Sequence, residues 1–169
     1  NLVPGKRVLD IGTGTGNLAL RCVALGAEVV GLDPSRLMLS YAREKMGSDA
    51  RVALCQADEP FLCIPCPDAS FDAVISTYAY HHVPHHLRGA SVREMVRVLK
   101  PGGRWVLGDL VFGDVSAERR ALCEYRWLEE EYFAHIDDLQ EAFAEFGMAL
   151  RWQQFTPVTW VLWTTRREA

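Results

Sequence analysis

Apolar residues along this chain recur with two different periods, and the alternation between them is the first structural signal. Residues 6–11 open on Lys6-Arg7 and continue as a short apolar run, Val8-Leu9-Asp10-Ile11, broken only by Asp10, that ends at Gly12-Thr13-Gly14-Thr15-Gly16. A run of that length before a glycine cluster predicts a buried strand. Residues 17–25 then carry Leu18, Cys22 and Leu25 on one helical side, with Gly26 as the stop. A second strand is predicted over 27–32, ending at Asp33. Pro34 suits the first turn of the helix predicted over 35–46, which Gly47 closes. Strands are predicted again over 51–56 and 71–76, a helix over 87–99, and a fifth strand over 104–109 after the turn Lys100-Pro101-Gly102-Gly103.

Strand and helix in alternation, with short connections, imply a parallel sheet covered on both faces. Right-handed crossovers gather the C-terminal ends of all its strands on one edge, where such sheets hold ligands. The tail departs from the pattern. The spacing of Leu122, Tyr125 and Leu128 predicts a long helix over 116–132, and Leu139, Ala142, Phe143 and Phe146 predict a second over 137–146. Two strands follow, 148–155 and 158–165, joined only by Thr156-Pro157. So short a link permits a hairpin but no parallel crossover. The expected fold is one α/β domain over 1–169 with a doubly wound, mostly parallel seven-stranded sheet closed by a C-terminal antiparallel hairpin strand. Its parts would be a core over 6–112, a helical insert or lid over 113–147, and the hairpin over 148–165.

Composition narrows the class without naming it. With 49% hydrophobic residues in 169, the chain can bury a core of its own, and no apolar run approaches a membrane span. A formal charge of −4 offers no general footprint for nucleic acid. The five cysteines, with no secretion signal, suggest reduced thiols in a cytoplasmic protein. A strand that begins almost at Asn1, without an initiator Met, reads as a chain lacking an upstream segment, one expected to contribute to a substrate lid.

The chemistry starts at the glycine turn. Glycines between a strand and a helix let the backbone turn sharply and a ligand approach closely. Asn17 stands where the dinucleotide fingerprint needs a third spaced glycine, and no Lys-Ser/Thr pair makes a P-loop. Asp33 lies 17 residues past Gly16 at the tip of the second strand, where a carboxylate can accept both hydroxyls of a ribose. Asp58, just past the third strand, can accept from an exocyclic amine. Singly, each acid is also what a helix cap or turn would use. Together with the turn, and with no cation in the loop for a pyrophosphate, they describe a nucleoside site without phosphate.

At this point the chain resembles the class I S-adenosylmethionine-dependent methyltransferases. Val8-Leu9-Asp10-Ile11-Gly12-Thr13-Gly14-Thr15-Gly16 looks like their first motif. Val30-Gly31-Leu32-Asp33-Pro34-Ser35 resembles the ribose motif, and Cys55-Gln56-Ala57-Asp58 the adenine motif. Phe71-Asp72-Ala73-Val74-Ile75-Ser76 and Arg97-Val98-Leu99-Lys100-Pro101-Gly102-Gly103 are similar to the segments around the fourth and fifth strands. Ser76-Thr77-Tyr78-Ala79-Tyr80-His81-His82 resembles a group of small bacterial members with no assigned substrate. The resemblance implies a Rossmann-like methyltransferase fold and S-adenosylmethionine as cofactor. It implies that Asp33 and Pro34 face the ribose, and that Ala57 and Asp58 meet the adenine. Gly12, Thr13, Gly14 and Gly16 would line the methionine end, with Asp10 ordering the loop or the amino group and Thr77 near the methyl.

Methyl transfer is in-line displacement from a sulfonium, so the protein mainly aligns the nucleophile. The segment after the fourth strand faces the methyl by topology, which makes His82, His81 and Tyr78 the candidate catalytic residues. A histidine there suits proton removal at neutral pH, and it equally suits a backbone hydrogen bond. The acceptor is expected to be a small molecule, because the Asn/Asp-Pro-Pro-Tyr/Phe signature of adenine and glutamine methylation is absent. His81, His82, His85 and His86 have zinc-like spacing, but Pro84 intervenes, and Cys63-x-x-Cys66 is half a zinc pattern; no metal is expected at either. In the insert, Tyr125, Tyr132 and Phe133 are candidates for a lid over 116–135, whereas Trp160 is expected in the core. The rival readings are a nicotinamide-dependent oxidoreductase and a catalytically silent S-adenosylmethionine-binding module.

Overall fold

The computed structural model describes residues 4–126, 128 and 131–168. Its strands are β1 (Arg7–Ile11), β2 (Glu28–Asp33), β3 (Val52–Gln56), β4 (Phe71–Thr77), β5 (Leu99–Phe112), β6 (Ala134–His135), β7 (Arg151–Gln154) and β8 (Thr159–Thr165). Its helices are α1 (Asn17–Ala24), α2 (Arg36–Met46), α3 (Arg88–Val98), α4 (Val115–Glu124) and α5 (Ile136–Ala144). The sheet runs β3-β2-β1-β4-β5-β8-β7, with the two-residue β6 added against β5. All pairs from β3 to β5 are parallel, and β8 lies antiparallel between β5 and β7. The seven-strand path matches the sequence expectation, and β6 is an addition to it.

Why these residues make this sheet is visible in β1. Its apolar residues bury on both faces, Val8 beneath α1 with Cys22 and Val23, and Leu9 and Ile11 in the main core. The main core lies on the opposite face. There α3 and α5 press Met95, Leu139 and Phe143 onto the sheet, and Trp105 packs tilted against Phe143, centroids 4.6 Å apart, while donating to Met95 Sδ at 3.1 Å. From β1 the chain winds outward to β2 and β3, then returns to β4 on the other side. The strand order therefore reverses between β1 and β4, and a crevice opens above their C-terminal ends.

Three boundaries differ from the sequence pattern. The Lys100–Gly103 turn lies inside β5 as an irregularity: Phe71 pairs with Leu99, and Ala73 pairs next with Arg104. The long helix expected over 116–132 ends at Glu124, because Leu122, Tyr125 and Leu128 pack into a satellite cluster with Phe112, Phe133 and Val158. That cluster needs its apolar groups from several directions, which one straight helix could not supply. Trp127, in the same predicted helix, lies outside the described residues. The first hairpin strand shortens to β7, since Met148 and Leu150 turn into the core ahead of it.

Candidate functional site

The glycine turn sits at the crevice. Gly12, Gly14 and Gly16 all have positive φ, a conformation that L side chains rarely adopt. A Cβ on Gly12 would come within 2.3 Å of Ala79 Cβ, so glycine here lets the segment after β4 close against the loop. Around Gly14 a Cβ would meet nothing within 4 Å, so its backbone faces open space. Gly16 does something else: a Cβ there would strike Met46 Cε at 2.3 Å, so it serves the α1–α2 packing.

Asp33 closes β2 and is nearly buried. Its Oδ2 accepts from the Gly14 N–H at 2.8 Å and its Oδ1 from the Ser35 N–H at 2.8 Å. Those bonds order both the glycine loop and the start of α2, where Ser35 Oγ caps Met38 N. Each carboxylate oxygen keeps a second lone pair for a ligand hydroxyl. Asp10 is buried beneath the loop. Its Oδ2 accepts from Thr13 Oγ1 at 2.7 Å, while its Oδ1 has no partner. Burial is the main cause that pushes its carboxyl up to about 6, partly offset by the Thr13 hydroxyl and the Ala19 backbone N–H and reinforced by the Asp33 charge.

A cavity of about 520 Å³ runs from this turn to the segment after β4. Its lining draws Gly12, Gly14, Asp33, Pro34 and Asp58 from the glycine turn and the ends of β2 and β3, and Tyr78, His82, Val83, Pro84 and Leu87 from the segment after β4, with Phe61 and Leu62 forming part of the wall. The wall is held from below: Arg97 donates to the Ile64 and Cys66 carbonyls at 2.9 Å each, and Glu94 accepts from Ile64 N. Of the residues singled out in the sequence, Asp10, Thr13, Gly16, Ala57, Thr77 and His81 stand behind or beside this lining. Tyr80 is fully buried, its hydroxyl paired with Ser91 Oγ at 2.7 Å, so it belongs to the core. Phe133 is also core, edge-on to Phe112, whereas Tyr132 is exposed beside His85. Trp160 is half-buried against the core.

The residues after β4 are organised by Asp109, which sequence reasoning missed. This buried carboxylate in the C-terminal part of β5 accepts from the Ala79 and Tyr80 N–H groups at 3.1 and 2.8 Å, and pairs with His81 Nδ1 at 2.7 Å. Burial is the largest influence on His81 and opposes its charge, but the Asp109 hydrogen bond, the Asp109 charge and the Glu131 charge together outweigh it and hold the imidazole above its ordinary value. Tyr78 takes a left-handed backbone at φ 50°, which for a non-glycine residue marks local strain, and its ring is exposed at the cavity rim. His82 is exposed as well, with Nδ1 3.4 Å from Glu131 Oε2. The only sequence signal for Asp109 was an acid at the C-terminal end of a strand. For Glu131 there was none, because the insert's path across the site is set by tertiary contacts.

The four-histidine run is divided by the structure. Two short 3-10 turns, Tyr80–His82 and His85–Leu87, flank Pro84. His81 and His82 lie with Glu131, and His85 stacks on His135, so the i, i+4 spacing does not define one face.

Fold and cavity together define an α/β domain with a cavity that joins a glycine turn, two carboxylates and an apolar extension. Lys45 reaches Asn17 and Thr15 from α2 but does not line the cavity. Residues 8–103 match the methyltransferase domain family, and the chain belongs to it. It is 34% identical over 167 residues to an uncharacterized methyltransferase of Geobacillus sp. (strain WCH70), spanning 94% of this chain and 76% of that protein. The uncharacterized methyltransferase YrrT of Bacillus subtilis (strain 168) is 29% identical over 172 residues, covering 96% and 79% of the two chains. Among solved structures, an S-adenosylmethionine-dependent methyltransferase from Mesorhizobium loti superposes with a TM-score of 0.78 at 24% identity, over 98% of this chain and 93% of that one. Phosphoethanolamine N-methyltransferase 2 of Haemonchus contortus, in complex with phosphomonomethylethanolamine and S-adenosylhomocysteine, superposes at 0.81 and 19% identity, over 100% and 51%. The fold is therefore the Rossmann-like methyltransferase fold. No relative or neighbour named here supports the nicotinamide reading.

Proposed function

We propose that the protein is a cytoplasmic enzyme that transfers a methyl group from S-adenosylmethionine to a small-molecule acceptor. The observation that carries this reading is the single cavity that joins the Asp33 and Asp58 carboxylates to Tyr78 and His82. A donor held by one half and an acceptor held by the other would share one continuous space, as in-line transfer requires. The bound cofactor would supply the chemistry itself, a methyl group on a sulfonium that leaves as a neutral thioether.

The residues present fit such a cofactor. Asp33 keeps two lone pairs for ribose hydroxyls, and Pro34 and Met38 flank it in the lining. Asp58 faces the same space for an adenine amine, with Ala57 behind it. Asp10, backed by Thr13, offers an unpartnered buried oxygen, a good match for the ammonium of an amino-acid tail. At the other end, an imidazole of His82 or His81 can take a proton from a hydroxyl, thiol or ammonium acceptor, and Tyr78 and Thr77 border the approach. The lining of that half is apolar around these groups, which favours a small organic acceptor over a polyanion.

The direct test is incubation of the full chain with methyl-labelled S-adenosylmethionine and a small-molecule cell extract. Label is expected in a low-molecular-weight product. Cofactor binding with no product from any extract would favour the silent binding module.

Asp10 gives the reading a pH signature. Its carboxyl is neutral in the folded protein below about pH 6 but ionises near 3.8 when unfolded. Stability is therefore lost as pH rises from about 4 to 6, by about 3 kcal/mol in all at 1.36 kcal/mol per pKa unit. A ligand ammonium favours the ionised form, so S-adenosylhomocysteine affinity is expected to rise up to roughly tenfold per pH unit below 6 and level off above it. Methylthioadenosine, which lacks the ammonium, is expected to show no such rise. Equal pH profiles for the two ligands, measured by calorimetry, would remove Asp10 from the amino-group site.

A further inference from the structure

Beside the cavity, outside its cofactor half, three metal-ligating groups converge. One ring nitrogen each of His81 and His82 and a carboxylate oxygen of Glu131 all lie within 4.8 Å of one another. We propose that these three residues bind a divalent transition-metal cation of the zinc type at the acceptor end of the site. The inference rests on the methyl-transfer reading for its purpose, though not for its geometry.

Three observations carry it. The His82 Nδ1 to Glu131 Oε2 separation of 3.4 Å is not a hydrogen bond, yet it equals the ligand–ligand edge of a tetrahedral site with bonds of about 2.1 Å. Asp109 fixes the His81 ring by pairing with Nδ1 at 2.7 Å; with the proton on Nδ1, Nε2 is the nitrogen left to hold a cation. A carboxylate behind a histidine is the arrangement that orients a metal-binding imidazole and raises its basicity. Finally, His82 lines the cavity, so a cation held here by three protein ligands would keep an open position toward the bound acceptor.

The neighbouring group of His85, His135 and Asp138 does not compete. Glu118 already accepts from His135 Nε2 at 2.5 Å, and the guanidinium of Arg88 lies 3.5 Å from Asp138. A cation there would meet a fixed positive charge. At the His81–His82–Glu131 cluster the buried charge next to the imidazoles is the Asp109 carboxylate, which favours one.

The consequence for the reaction is an acceptor with a metal-binding oxygen, sulfur or nitrogen. Bound to the cation, that atom loses its proton more readily, because the metal stabilises the anion formed. The proton leaves to solvent or buffer, and the lone pair freed on the acceptor is the one that attacks. With the cation in place, the ligating nitrogen of His82 holds metal and takes no proton.

The test uses chelator-treated full-length chain without cofactor, titrated with Zn²⁺ by calorimetry and with Co²⁺ by visible absorption. One saturable site is expected, with Co²⁺ bands free of thiolate charge transfer. His82→Ala and Glu131→Gln are each expected to lower Zn²⁺ affinity at least tenfold, and Asp109→Asn roughly tenfold. S-adenosylhomocysteine binding by each variant checks that it is folded. Absence of a saturable site would overturn the proposal. So would unchanged affinity in both His82→Ala and Glu131→Gln, or binding lost in Cys63→Ser with Cys66→Ser instead. Failure of wild-type protein to bind S-adenosylhomocysteine while still binding Zn²⁺ would sink the methyltransferase reading and leave the metal site standing.

Discussion

Replacing Asp33 with alanine is expected to weaken S-adenosylhomocysteine binding by at least tenfold. The carboxylate is 7% exposed and performs two tasks at once. Within the protein it accepts the N–H groups of Gly14 and Ser35, so its loss frees the glycine loop from the end of β2. Toward a ligand it would leave two ribose hydroxyls without an acceptor. A hydrogen bond to a charged group contributes roughly 1.5–3 kcal/mol, which corresponds to roughly 10- to 100-fold in affinity. Asp33→Asn keeps the shape and one oxygen, so it should fall between wild type and alanine. Calorimetric titration with a melting curve beside it separates the two tasks. A native melting temperature with unchanged affinity would exclude Asp33 from the site.

The second large effect is on stability. Arg88, in the first turn of α3, is 3% exposed, and its Nη2 donates to the Tyr132 and Phe133 carbonyls at 2.5 Å each. Its Nη1 reaches Asp138 at 3.5 Å. Burial lowers the affinity of the guanidinium for its proton, so these partners are what keep the charge tolerable there. Through them α3 holds the stretch before α5 against the acceptor end, where the Tyr132 N–H also donates to the His81 carbonyl at 3.0 Å. Arg88→Met fills similar volume but leaves the buried Phe133 carbonyl unpaired. The expected loss is about 2–4 kcal/mol, a fall in melting temperature of roughly 5–15 °C for a domain of this size. Hydrogen exchange over residues 131–135 should quicken more than over β1. A melting temperature within two degrees of wild type, with unchanged exchange, would show that Arg88 does not clamp this stretch.

These two residues also mark what a sequence can and cannot disclose. Asp33 was legible because the strand that carries it ends in a local pattern, and parallel topology brings that end to the glycine turn. The same holds for Asp58 and for Gly12 and Gly14. Arg88 was not legible. A cation near a helix start reads as solvated surface until the insert is known to fold over it. Glu131 and Asp109 depend likewise on contacts across about 50 and 28 residues of chain, to His82 and His81. The helix expected to reach 132 stops at Glu124 because its apolar residues are shared among several neighbours, a choice that periodicity cannot register. Phe133 looked like a lid residue and proved to be core for the same reason.

Composition first described an ordinary, mildly acidic domain. The strand ends then brought Asp33 and Asp58 to one cavity with Tyr78 and His82. The measurement that tests it most directly is calorimetric titration of the full chain with S-adenosylmethionine, S-adenosylhomocysteine and NAD. Saturable binding of both sulfur nucleosides, with none of NAD, is the predicted result. Binding of NAD with neither sulfur nucleoside bound would contradict it.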